Sequence, residues 1–211
     1  MKTAVVDFDD FENKWERNGL NILFYWKSIY PAFKATLFAI PGKTSGYMVD
    51  LILRNEDWLQ LGVHGFLHEN NHEVQYWDEI TTNVNLDFAE ALGIRTKIFK
   101  SPGWQITYPQ PYNESPDPSK PVNSNPQLIY NVLKERGYTI CDQHYNKDKR
   151  PDGLKVYCSC NPLMVHGHTW NMDQGEPNGL EQMEKAGVPW DSETNFKFIS
   201  ELTDEELKCQ Y

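Results

Sequence analysis

A chain of 211 residues suits a single domain, 1–211, with a core of its own, and 39% hydrophobic and 13% aromatic residues exclude a disordered polymer. A formal net charge of −10 argues against a nucleic-acid backbone or an anionic membrane as partner and leaves a neutral substrate such as a sugar open. No apolar run approaches the ~20 residues needed to cross a bilayer, and strand-like sequence from Val5 leaves no room for a signal peptide, so a cytoplasmic location is expected.

In chain order, Val5, Val6 and Phe8 are β-formers and predict a short buried strand from Ala4. A strand buried on both faces does not normally carry acids, so Asp9 and Asp10 are expected where it ends and opens into a pocket. An Asx turn closing the strand is the alternative. A helix is expected from Phe11 to Tyr30, a strand over 34–40 ended by Pro41-Gly42, a helix from Tyr47 to Asn55, and a strand over 60–63 that runs into His64. Leu86 to Leu92 reads as a helix stopped by Gly93, followed by a strand over 96–99 and the turn Ser101-Pro102-Gly103.

Six prolines between Tyr108 and Pro126 mark a loop inside the domain, with Tyr108 and Tyr112 available as one wall of a cleft. Beyond it come a helix over 126–136, a strand over 138–141, a strand over 162–165 leading to His166, a helix over 176–186 and a strand over 195–199. Thr203-x-x-Glu206 is a capping-box pattern for a short final helix. Alternating strands and helices predict an α/β fold, an irregular (β/α) barrel of seven to eight mostly parallel strands. Asp9, Asp10, His64, Lys100, Asp142 and His166 all follow strand ends, where such a barrel carries its site. The four cysteines (141, 158, 160 and 209) lack zinc-knuckle spacing and are expected as free thiols, some buried.

His64 and His68 stand at i, i+4. A helical turn after the strand would put both imidazoles on one face, able to grip one cation with a carboxylate and to leave coordination positions open for water and substrate. His72 continues the spacing in a strongly polar segment and is expected to be exposed or to support the others. Trp104 and Trp170 are either core fillers or aromatic surfaces for a sugar face.

These residues resemble the motifs of the polysaccharide deacetylase family, whose members include chitooligosaccharide deacetylases. Val6-Asp7-Phe8-Asp9-Asp10-Phe11 is similar to its Thr-Phe-Asp-Asp-Gly motif, and His64-Gly-Phe-Leu-His68 to its His-Ser/Thr-x-x-His. Phe99-Lys-Ser-Pro-Gly-Trp104 resembles its Arg-containing Pro-Gly segment, Tyr138 to Asp142 its fourth motif, and Leu163-Met-Val-His166 its fifth. The five stand in the family's order from Val5 to His168.

The resemblance implies Asp9 as catalytic base and Asp10, His64 and His68 as metal ligands, and their nitrogen and oxygen donors make zinc the default divalent ion. It further implies His166 as catalytic acid oriented by Asp142, Lys100 supporting the base, and Pro102, Gly103, Trp104, His168 and Trp170 around the substrate. His168 is the alternative acid, since alternation puts it on the same side as His166. The implied reaction is removal of an N-acetyl or O-acetyl group from a carbohydrate. A hydrolase of non-sugar C–N bonds of the cyclic-ureide type and a non-catalytic glycan-binding member are the alternatives. The chain departs from the family at Asp7 and Phe11, which stand for Thr and Gly, at Gly65 for Ser/Thr, and at Lys100 for Arg.

Overall fold

The computed structural model describes residues 3–14, 19–69, 73–104, 106, 126–159, 161, 163–169 and 192–207. They form an α/β fold around one parallel sheet. Its strands are β1 (Thr3–Phe11), β2 (Ala35–Ala39), β3 (Leu59–His64), β4 (Ile98–Lys100), β5 (Thr139–Asp142), β6 (Lys155–Cys158), β7 (Met164–His168) and β8 (Asn195–Lys197). The order is β6-β5-β4-β3-β2-β1-β7, and β8 pairs with the first residues of β1 below β7. Every pairing is parallel, and the sheet curls into a half-barrel. No ladder joins β6 to β7 among the described residues.

The helices are α1 (Leu20–Ile29), α2 (Gly46–Leu53), α3 (Glu79–Leu92), α4 (Pro126–Glu135) and the one-turn α5 (Asp204–Leu207). The expected Phe11–Tyr30 helix is shorter: β1 continues to Phe11, and α1 starts only after Gly19, whose φ of 54° does not continue a right-handed helix backward. α3 begins two turns before the expected Leu86. Its Thr81 to Asn85 stretch is poor in helix formers, but the Asp78 side chain caps Thr81 N at 2.7 Å, and Thr82 and Asn85 are buried. β6 was not expected at all. The capping box at α5 is present, with Thr203 N donating to Glu206 and Glu206 N to Thr203 Oγ1. The segments 108–125 and 176–186, with Trp170 and His72, lie outside the described residues.

Two apolar clusters separate the sheet's faces. Ala4, Val6 and Phe8 join Leu23, Trp26, Val49 and Ile129 on the face covered by helices, with Phe8 stacked on Trp26 at 5.9 Å. On the inner face Val5 packs with Phe38, Ile98, Cys141 and Tyr157, and Ile199, Leu202 and Leu207 join them. The period of two along β1 therefore sends Asp7 and Asp9 to the inner face with Val5. Cys141 is a buried free thiol as expected, whereas Cys158 is disulfide-bonded, contrary to expectation.

A surface network ties α3 to β4 and to the α4–β5 connection. Glu90 accepts hydrogen bonds from Lys97, from Arg136 at 2.7 Å and from Tyr138 at 3.0 Å. Burial works against the Glu90 charge, but these three donors outweigh it and draw its pKa down to about 2. A depressed carboxylate contributes stability above its unfolded pKa, near 4.3, and loses it as pH falls toward 2. Glu90→Gln should cost about 1 kcal/mol at neutral pH, discounted for the group's partial exposure. The gap from wild type should close between roughly pH 4.3 and pH 2 in urea-unfolding curves.

Candidate active site

β1 supplies three carboxylates from one strand. Asp7 and Asp9 face inward by alternation, and Asp10 by the same rule would face the helices. Between Phe8 and Phe11 the pairing with β2 slips, so that Phe8 opposes Leu37 while Phe11 opposes Ala39. That is one extra residue on β1, a bulge, and Asp10 takes it up at φ 69°. Asp10 Oδ1 thereby comes within 3.5 Å of His64 Nε2 and 3.2 Å of His68 Nε2. The acids stand at the end of the strand, as expected, and β1 is kinked at them before it closes at Phe11.

His64 is the last residue of β3 and is buried; its Nδ1 lies 3.0 Å from the Lys100 carbonyl, which turns Nε2 toward Asp10. Burial, against the pull of Asp9 and Asp10, lowers its pKa to about 4, so the ring is neutral at pH 7. The two histidines meet, but not on a helix. Gly65 at φ 60° turns the chain out of β3, and His68 sits at φ 47°. The loop between them is held by Glu73, which sequence reasoning passed over as part of a polar run. Its carboxylate accepts from Phe66 N at 3.1 Å, Leu67 N at 2.8 Å and His68 N at 2.8 Å. A Cβ on Gly65 would meet Glu73 Oε2 and Pro102 Cγ, each at 2.8 Å. Glycine here makes room for the Glu73 carboxylate that braces the loop.

Lys100, at the end of β4, is fully buried. Its Nζ hydrogen-bonds Asp7 Oδ1 at 2.8 Å, pairs with Asp9 Oδ1 at 2.8 Å and stands 3.1 Å from His166 Nδ1. The Trp104 ring covers it at 4.1 Å and Phe38 at 4.9 Å. Burial alone would strip its proton, but Asp7 and Asp9 outweigh burial and hold its pKa above the ordinary lysine range. Both aspartates feel the same burial, and Lys100 overcomes it, keeping each carboxyl below the usual range.

β7 runs beside β1 with His166 level with Asp7 and His168 level with Asp9. His166 Nδ1 lies 2.7 Å from Asp7 Oδ1, and its Nε2 3.7 Å from Asp9 Oδ2. The acid against His166 is thus Asp7, a correction to the expected Asp142. Asp142 ends β5, with four strands between β5 and β7 in the sheet order. Both its oxygens are spent locally, on Gln143 N and Asn146 Nδ2, and on Tyr130 OH and Arg150 Nε, all at 2.8–2.9 Å. It anchors α4 and the turn after β5. Burial lowers the pKa of His168, whose ring centroid is 5.2 Å from that of His166. Trp104 meets the His166 ring edge-on at 5.9 Å. Pro102 is buried against the Gly65 turn, and Gly103 at φ 58° swings Trp104 back over Lys100.

Donor chemistry tests whether this site fits a metal. Asp10 Oδ1 lies 3.5 Å from His64 Nε2 and 3.2 Å from His68 Nε2, and ligand atoms of the three residues lie within 4.8 Å of one another. Bonds of 2.0–2.2 Å to a tetrahedral ion place ligand atoms about 3.3 Å apart, so the set fits. All three atoms come from residues that could bind one ion together.

No protein-family model matches the chain, and no curated protein matches it. Solved structures do. A deacetylase called T48, solved with substrate, is 12% identical with a TM-score of 0.51, over 98% of this chain and 90% of its own. A family 4 carbohydrate esterase from Streptomyces lividans, in complex with acetate, is 14% identical over 88% of this chain and 87% of its own, with a TM-score of 0.48. A pseudoenzyme of carbohydrate esterase family 4 from Bacillus anthracis is 12% identical over 98% of this chain and 66% of its own, TM-score 0.48. At such identities the likeness is one of fold. The chain has a deacetylase fold, in keeping with the resemblance of its motifs to the polysaccharide deacetylases.

The Gly65 turn can be tested directly. Gly65→Ala should destabilise the protein by about 1–3 kcal/mol in urea unfolding, since alanine meets both a positive φ and the Glu73 carboxylate. Unchanged stability would show that the turn is free to rearrange.

Proposed function

We propose that the chain is a metal-dependent hydrolase that removes acetyl groups from a carbohydrate, with Asp9 as base and His166 as acid. The observation that carries this reading is the pair of arrays on either side of Asp9. Asp10, His64 and His68 form a three-donor set on one side, and an ammonium-backed carboxylate faces an Asp-held histidine on the other. Asp10, His64 and His68 would hold a divalent ion, zinc by the preference of its nitrogen and oxygen donors. When bound, that ion supplies Lewis-acid polarisation of the acyl carbonyl and acidifies water.

The protein's own groups then have distinct tasks. Asp9, kept ionised by Lys100, accepts a proton from attacking water through Oδ2, the oxygen that Lys100 leaves free. His166, fixed through Nδ1 by Asp7, presents Nε2 toward Asp9 and to the leaving nitrogen or oxygen. Lys100 also prevents Asp9 from accepting its proton too early. Trp104 closes one side over Lys100 and His166 and offers an apolar surface for the acetyl methyl or a sugar face. Spacing of base and acid across one strand pair argues for catalysis over glycan binding alone. No helix among the described residues is long and apolar enough to cross a membrane. The Cys158 disulfide is chemistry of an oxidising compartment, which weighs against the cytoplasmic expectation.

Acetate release from N- and O-acetylated oligosaccharides tests the activity. Asp9→Asn should lower turnover about a hundredfold or more while metal content stays near one equivalent. Loss of the ion together with activity would reverse the roles given to the two aspartates. His166→Ala should cost more turnover than His168→Ala; the opposite order would make His168 the acid. Metal analysis of Asp10→Ala and His68→Ala should show the ion lost, and full retention would sink the ligand assignment.

A further inference from the structure

We propose that Asp9, His166 and His168 form a second divalent-metal site, weaker than the first, which withdraws base and acid from catalysis when it fills. The catalytic consequence rests on the reading above; the site itself rests on geometry. One ligand atom from each of the three residues lies within 4.8 Å of the others. The register of β1 with β7 makes this a built feature, because Asp9 opposes His168, and His166 shares its face by the period of two.

His166 is prepared as a metal ligand is. A carboxylate oxygen 2.7 Å from Nδ1 favours a proton on that nitrogen over the tautomer in which Lys100 Nζ, 3.1 Å away, would donate to it, because two lone pairs at 2.7 Å repel. In the neutral ring Nε2 then carries the lone pair, and it faces Asp9 Oδ2 at 3.7 Å. That gap is too long for a hydrogen bond and close to the ligand–ligand edge of about 3.3 Å around a tetrahedral ion. His64 is prepared alike, with Nδ1 at the Lys100 carbonyl and Nε2 at 3.5 Å from Asp10. Such outer partners fix tautomer and orientation in metal sites generally. The two triads share the Asp9–Asp10 pair, one residue each, and Asp9 Oδ2 also lies 3.8 Å from His64 Nε2.

The order of affinity follows from charge. Asp7, Asp9 and Asp10 against Lys100 leave two negative charges, which one divalent ion cancels. A second ion enters without net attraction, and it must share Asp9 with the ammonium at 2.8 Å. The occupant is a transition ion that favours mixed nitrogen and oxygen donors, zinc or cobalt, and not calcium or magnesium.

The test titrates the chelator-stripped full chain with zinc by calorimetry and with cobalt by visible absorption. Two equivalents are expected, the second about tenfold or more weaker. His168→Ala should remove only the weak one. Asp7→Asn should weaken that same equivalent about 10–100-fold, because the amide no longer fixes Nδ1–H, and should leave the tight one in place. Asp10→Ala should remove only the tight one. A single equivalent up to millimolar zinc, or a weak equivalent that survives His168→Ala unchanged, overturns the proposal. A weak equivalent lost with His168, alongside no tight one, supports this site and overturns the functional reading instead.

Discussion

The site depends on one buried cation. Lys100 holds a full charge in a place without solvent, and it does so because Asp7 and Asp9 each set an oxygen 2.8 Å away. Removal of one partner from such a buried cluster leaves uncompensated charge and typically costs about 3–5 kcal/mol. The dependence is mutual: burial works against both carboxylate charges, and Lys100 is the largest influence that offsets it. Two departures from the family motifs become a single change in this light. An arginine offers a planar fork suited to one carboxylate, whereas an ammonium offers three donors around a point. Aspartate at position 7 and lysine at position 100 suit each other, and the second carboxylate then reaches His166.

Around that cation the backbone is bent where chemistry needs it. The described non-glycine residues with positive φ are Asp10, His68 and Trp104, and all three border the same pocket. Each such conformation costs of order 1–3 kcal/mol, so it persists only where the surroundings enforce it. A bulge in the β1–β2 ladder enforces the first, the Glu73 carboxylate the second, and the Gly103 turn with the Lys100 contact the third. Gly65 and Glu73 form another matched pair, since the missing Cβ is what admits the carboxylate.

Much of this was legible in the sequence. The strand bearing Asp9 and Asp10, the strand running into His64, the strand before His166 and the capping box at Thr203 are all local signals, written in hydrophobic period and cap chemistry. What escaped was set by tertiary contact. The α3 N-terminus lies in residues of low helix propensity, rescued by the Asp78 cap and by burial. Glu73 read as one more acid in a polar run because its role depends on three backbone N–H groups brought to it by a turn. The Asp142 assignment followed motif order, yet the register of β7 against β1 decides which acid meets His166, and register is invisible to motif order. Asp7 could have been suspected from sequence: an acid at an inward position two before Asp9 needs a cation, and Lys100 was the candidate at a strand end.

Charge also explains why Asp9 and Asp10, neighbours in sequence, are suited to different tasks. The ammonium stands against Asp9, so this carboxylate is already half satisfied, through Oδ1, and keeps only Oδ2 for a proton. Asp10 is carried by the bulge to the other side, where it faces two imidazole nitrogens at 3.2 and 3.5 Å. Burial keeps His64 neutral there, so the carboxylate gains no compensating proton from it at pH 7. Asp10 thus stands on the side away from the ammonium, which is placed against Asp7 and Asp9. On the proposed reading a divalent ion would be drawn to Asp10, and proton transfer would fall to Asp9, one residue and one bulge away.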